Sequence, residues 1–153
     1  YMIALKRLEN RSPEEIAKNA DYLDLADGTP LYHQAVHFGE LKDGLIRGSR
    51  FDKTVEREFA SFLSDKKDED IINLCKSLGG EIIKSKFDLS VVFYLFPNYP
   101  VTLNIWFADD EFGAVGSMLV DKSADNYLTI EDDVVAGEFM LRYIFERYNE
   151  LYM

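Results

Sequence analysis

Acidic side chains are the groups best able to do chemistry in this sequence, and they gather in two places. Asp109-Asp110-Glu111 directly follows an apolar run, and Asp121, Asp125, Glu131, Asp132 and Asp133 come later. Clustered carboxylates can hold a hard cation or share the work of a general acid and base. They can equally solvate a loop or charge a helix start, and Glu131 to Asp133 stand where a helix dipole favours negative charge. Trp106 lies on the less apolar face of its run, beside Thr102 and Asn104, where an indole can line a pocket or pack on a sheet. The candidate ligand-binding residues are therefore Trp106, Asp109, Asp110, Glu111, Tyr127, Glu131 and Asp132, with no catalytic residue and no metal ligand assigned.

One acidic stretch imitates a calcium loop. Asp121, Ser123, Asp125, Tyr127, Thr129 and Asp132 fall at positions 1, 3, 5, 7, 9 and 12. Against that, Asn126 replaces the glycine of the sharp turn, and Asp132 is shorter than the usual bidentate Glu. Thr129 and Asp132 are also placed to cap a following helix, so no EF-hand is expected. His33 and His37 have the i,i+4 spacing of a metal-binding helix, but the segment alternates like a strand. There they would stand about 13 Å apart, too far to share an ion. Cys75 is alone, which excludes an internal disulfide, a Cys-based zinc site and a self-contained iron–sulfur cluster. It shares a stripe with Ile71, Leu74 and Leu78, so it reads as an inert core thiol. Gly113-Ala114-Val115-Gly116-Ser117 is a weak imitation of a phosphate loop, preceded by three acids.

Elements must position these groups, and the composition says that the chain can build them. Of its 153 residues 47% are hydrophobic and 14% aromatic, far more than a disordered chain carries. Seventeen basic residues against 28 acidic give a net charge of −11, which repels phosphate backbones and anionic lipid. Neither nucleic acid nor a membrane is expected as a partner. No signal peptide and no run of about 20 apolar residues is visible, so the expected location is the cytoplasm. A single domain over residues 1–153 is expected, with an N-terminus cut or abridged because Tyr rather than Met stands first.

Ser12-Pro13-Glu14-Glu15 signals a helix start and Asp27-Gly28-Thr29-Pro30 its stop. Tyr32 to Phe38 alternates as a short strand. Asp52 is expected to cap a helix that carries Val55, Phe59, Phe62 and Leu63, and Asp68 the next, which Gly79-Gly80 ends. Phe87 to Phe96 and Val101 to Phe107 alternate on either side of a four-residue turn, Pro97 to Pro100, and so read as an antiparallel hairpin. Val92, Tyr94 and Phe96 add apolar groups to the second face, so that strand is expected to be covered on both sides. Ser117 to Val120 is a third strand. Thr129 caps the last helix, with Val134, Gly137, Leu141, Ile144, Tyr148 and Leu151 inward and Glu138, Arg142 and Glu146 on the wet face. The fold class is α+β: an antiparallel β-sheet with a central hairpin, packed by a long C-terminal helix and a helix pair.

The C-terminal half resembles a family, mostly of anaerobic bacteria and archaea, known as domain of unknown function 3786. The resemblance is carried by Leu78-Gly79-Gly80-Glu81, Phe96-Pro97 with Pro100-Val101, and Trp106 with Asp109-Asp110-Glu111-Phe112. It continues through Leu119-Val120-Asp121, Tyr127-Leu128, Glu131-Asp132 and Gly137-Glu138. Phe38-Gly39-Glu40-Leu41 with Asp43-Gly44 resembles an upstream family segment more loosely. The resemblance implies a setting near corrinoid or one-carbon metabolism, because some relatives join this domain to a cysteine-rich iron–sulfur module. This chain lacks those cysteines, so its cofactor is unknown. It is also shorter than relatives between Ala20 and Leu31, where missing residues are expected. Together these features point to a non-catalytic accessory or binding domain for a small molecule or a protein partner. The alternative is a carboxylate-dependent, metal-assisted enzyme using Asp109, Asp110 and Glu111, and a third reading is a structural interaction module with an exposed apolar patch.

Overall fold

The computed structural model describes residues 31–126 and 128–153. The expected helix from Ser12 and the expected gap in the Ala20 to Leu31 region lie outside the described residues, Leu31 apart. Among the described residues the order is β1 (Ala35–Val36), a 3-10 turn (Phe38–Glu40), α1 (Arg47–Leu63), α2 (Asp68–Ser77), β2 (Glu81–Ile83), β3 (Leu89–Phe96), β4 (Tyr99–Trp106), β5 (Val115–Asp121), a second 3-10 turn (Lys122–Asn126) and α3 (Ile130–Tyr152). The strands form one antiparallel sheet in the order β1-β5-β4-β3-β2. The fold is α+β, with the central hairpin, the helix pair and the long last helix read from the sequence.

Alternation explains which side of the sheet is dry. Val91, Phe93, Val101, Leu103, Ile105, Met118 and Val120 point one way and are buried. Onto them pack Phe51, Val55, Phe59 and Leu63 of α1, each one helical turn from the last or nearly so, with Ile71, Leu74 and Cys75 of α2. Val134, Leu141, Ile144 and Tyr148 of α3 close the core. Gly137 faces the rings of Phe51 and Phe38, where an added Cβ would come within 2.5 Å of Phe51, so α3 approaches α1 closely only because no side chain is there. At the other end of the helices Phe62 stacks near Phe145 and Tyr148, and Lys66 places its ammonium over Phe62 and Tyr148 at 4.6 and 4.9 Å.

The hairpin carries two differences from expectation. Its turn is the two residues Pro97-Asn98, not four: proline presets the first φ and Asn98 takes a φ of 63°, the signs a type II turn needs. Tyr99 and Pro100 therefore belong to β4. Pro100 brings no N–H to the ladder, and opposite it the register slips between Tyr94 and Phe96, which makes Leu95 an extra residue. The slip turns Phe96 inward, where it is buried against Tyr99. Strand β3 is thus not covered on both sides along its length: Tyr94 stands on the outer face, 58% exposed.

Two helix starts also differ. Helix α1 begins at Arg47, so Asp52 lies inside it and accepts instead from the Phe38 and Gly39 amides at 3.0 and 2.9 Å, capping the 3-10 turn beside it. Lys67, not Asp68, is the N-cap of α2. The end of α2 follows the glycine signal closely. Gly79 at φ 79° donates to the Lys76 carbonyl and Gly80 to that of Cys75, the paired bonds of a Schellman motif.

Candidate functional site

The candidate residues fall into two groups at opposite ends of β4. Trp106 closes the strand, 40% exposed, with its ring against Phe87 at 5.2 Å between centroids. Asp109 folds back on its own loop and accepts from the Glu111 and Phe112 amides at 2.8 and 2.7 Å; those two bonds hold its carboxyl below the usual range. Asp110 and Glu111 face solvent. Glu131 and Asp132 begin α3, at the Tyr99 end of β4, which is about 20 Å away along a strand of this length. Glu131 pairs with Arg47 at 3.2 Å, and the Asp132 amide donates to Thr129 Oγ1 at 3.3 Å, the expected cap. Tyr127 lies outside the described residues.

The acids that the fold takes out of water are others. Asp133 is fully buried; Tyr99 donates its hydroxyl to Oδ1 at 2.7 Å, and Oδ2 has no hydrogen-bond partner among the described residues. Burial pushes its pKa up to about 8, against the opposing pull of the Tyr99 bond, so the carboxyl holds its proton at neutral pH. Glu138, expected on the wet face, is only 9% exposed and lies 3.6 Å from the Arg47 guanidinium; burial raises its pKa and Arg47 offsets part of that rise. Arg142 and Glu146 do form the expected outer pair, at 3.4 Å.

The calcium-like stretch is built as a support. Asp121 accepts from the Tyr32 and Gln34 amides, both at 2.9 Å, and from the Ser123 amide and hydroxyl. Burial alone would raise its pKa, but those bonds outweigh it and the net shift is downward. Asp125 binds the Lys42 amide at 2.9 Å and the Lys122 ammonium at 2.7 Å. Val115 to Ser117, in the expected phosphate-loop imitation, is strand. Glu40 Oε1 accepts from the His37 amide at 3.1 Å and meets the His37 ring Nδ1 at the same distance, and Cys75 is buried with its pKa raised to about 12. Among the described residues no group of three or more His, Cys, Asp or Glu side chains is placed to hold a metal, and no helix is long and apolar enough to cross a membrane.

Concavities lie elsewhere. A groove of about 470 Å³ runs between the Gly79 end of α2, the bulged part of β3 and the middle of α3. Phe93, Tyr94, Leu95, Phe139, Met140 and Tyr143 line it, and Phe139 and Tyr143 stack with ring planes 12° apart. It exists because β2 covers β3 only from Ser90 to Val92, while the bulge directs Leu95 toward the gap. Sequence reasoning missed it, although two aromatics one helical turn apart, Phe139 and Tyr143, lie beside the inward stripe of α3 and were available as a signal.

No curated protein and no solved structure matches the chain. A family model does match, over residues 10–143, which is most of the chain and includes both acidic groups, the groove and the buried Asp133. The chain belongs to the family described as domain of unknown function (DUF3786).

Proposed function

We propose that this domain works by binding, as a non-catalytic accessory domain, and that the groove between α2, β3 and α3 receives a flat, apolar small molecule. One observation carries this reading: a concavity of about 470 Å³ whose walls are mostly aromatic and aliphatic, with tyrosines as its polar groups. That volume lies within the range of about 300–1,000 Å³ usual for small-molecule sites, and the lining matches their predominantly apolar character. The alternative enzyme, built on Asp109, Asp110 and Glu111, gains no support from a loop in which Asp109 is engaged by its own backbone and its neighbours face water. The anaerobic, corrinoid or one-carbon setting rests on the family resemblance alone.

Nile red, whose emission rises in apolar surroundings, tests the assignment. The parent protein is expected to bind it saturably, and Phe139→Ala with Tyr143→Ala to weaken binding by about tenfold or more through lost stacking area. Asp109→Asn with Asp110→Asn and Glu111→Gln is expected to leave binding unchanged. Equal binding by the groove variant, or a loss confined to the acidic-loop variant, would sink the reading.

A further inference from the structure

A second concavity, of about 260 Å³, opens on the outer face of the sheet and is independent of the aromatic groove in everything but Tyr94. Its walls are Leu31, Ile83, Val92, Pro100 and Tyr94, and its polar groups are His33, Thr102 and Asp121. The register explains the grouping: Val92 pairs with Thr102, Tyr94 with Pro100 and Asp121 with Ala35, so all of these project from one face. His33 is brought there by an unusual device. Asp121 receives the amides on both sides of it, Tyr32 and Gln34, one on each carboxylate oxygen. Two amides that converge on one anion enclose a residue that must turn the other way, and His33 has a φ of 55°, in the left-handed region. A non-glycine residue held so at the mouth of a concavity is a common companion of function.

We propose that this outer-face concavity is a ligand site, with His33 as the side chain that hydrogen-bonds the ligand and Asp121 as the positioning residue that sets His33. The ligand class follows from the walls. Tyr94, 58% exposed, and Pro100 across the ladder offer a flat apolar platform suited to a planar ring. A volume just below the usual small-molecule range admits one ring system and little more. His33 and the Thr102 hydroxyl can donate to and accept from a polar ring edge. Asp121 in the wall and a net charge of −11 oppose anions. The occupant is therefore a small, planar heterocycle that is uncharged or cationic, without phosphate or carboxylate.

His33 and His37 are the chain's two histidines, so their imidazole carbon–proton NMR signals report separately on site and surface. Nicotinamide, adenine and indole serve as probes, with nicotinate as the anionic isostere of nicotinamide. Expected is a saturable shift of the His33 signal by at least one neutral probe while His37 stays still, with nicotinate weaker by about fivefold or more. Thr102→Phe, which fills the concavity from a position facing outward, is expected to abolish the shift with the fold intact. Asp121→Asn is expected to weaken probe binding, whereas Ser123→Ala removes another partner of the same carboxylate, leaves the two flanking amides in place and preserves binding. Absence of a His33-specific shift with all three neutral probes overturns the site. So do histidines that move together, or unchanged binding in Thr102→Phe. Equal loss in Asp121→Asn and Ser123→Ala overturns the positioning role.

Discussion

Asp109-Asp110-Glu111 and Glu131-Asp132-Asp133 are nearly mirror images as text, and the fold treats them in opposite ways. The first triplet ends up in a loop beyond β4, where one carboxylate braces its own turn and the others meet water. The second opens α3, and helical geometry rotates successive side chains by about 100°, so three neighbours cannot share one environment. Glu131 reaches Arg47, Asp132 stays outside, and Asp133 turns into the core under Tyr99. An acidic run thus has no fixed meaning; the element that follows it decides whether any member leaves water, and with it whether any pKa moves far.

The largest expected effect breaks or upholds that contrast directly. Asp133 has a pKa of about 8 in the folded chain and that of an ordinary aspartate when unfolded. Between about pH 4 and pH 8 the folded state therefore holds a proton that the unfolded state has released, and stability falls as pH rises through this window. The contribution is fully present below pH 4 and lost above pH 8, with a slope of up to about 1.4 kcal/mol per pH unit. Denaturant titrations at several pH values should give a flatter dependence for Asp133→Asn than for the parent. Identical slopes would mean that Asp133 ionises freely and is not sealed from water.

A smaller effect is expected at Arg47, which serves one acid of the second triplet and Glu138 below it. Arg47→Ala leaves Glu138 largely buried without its cation and should cost about 1–2 kcal/mol at neutral pH, the loss of a charge-assisted contact. The cost should shrink as acid protonates Glu138, which ties it to this carboxylate and not to lost packing of the arginine stem. The exposed Glu131 partner contributes little to it, so Glu131→Gln alone should leave the unfolding midpoint nearly where it was. The least change of all is expected from Asp110→Asn with Glu111→Gln, the two members of the first triplet that meet only water, whose thermal midpoint should match the parent's across neutral pH. A clear shift there would erase the distinction between the two triplets.

How much of this was legible depends on whether the signal was local. The Schellman end at Gly79-Gly80, the cap at Thr129 and the alternation of Val101, Leu103 and Ile105 are decided within a few residues, and the sequence displays them. The buried acids are not local facts. Asp133 needs Tyr99 and Glu138 needs Arg47, partners separated by tens of residues, and no spacing rule joins them. Asp52 misled for the same reason: its type suits an N-cap, but the amides that it satisfies belong to another segment. The candidate site residues were chosen where charge is dense along the chain, whereas the concavities form where a strand stops short and a bulge redirects a side chain, which charge density does not report.

That bulge has a further consequence, for how the molecule keeps to itself. Beyond Val92 the outer margin of β3 carries no strand among the described residues, and an open margin is a template on which another chain can extend a sheet into a fibre. The extra residue at Leu95, opposite a proline that cannot complete the ladder, throws this margin out of regular pleat just where it is bare. An incoming strand would find mismatched spacing after one or two residues. The irregularity that opens a groove for a small guest thus also makes the same margin a poor place to begin aggregation.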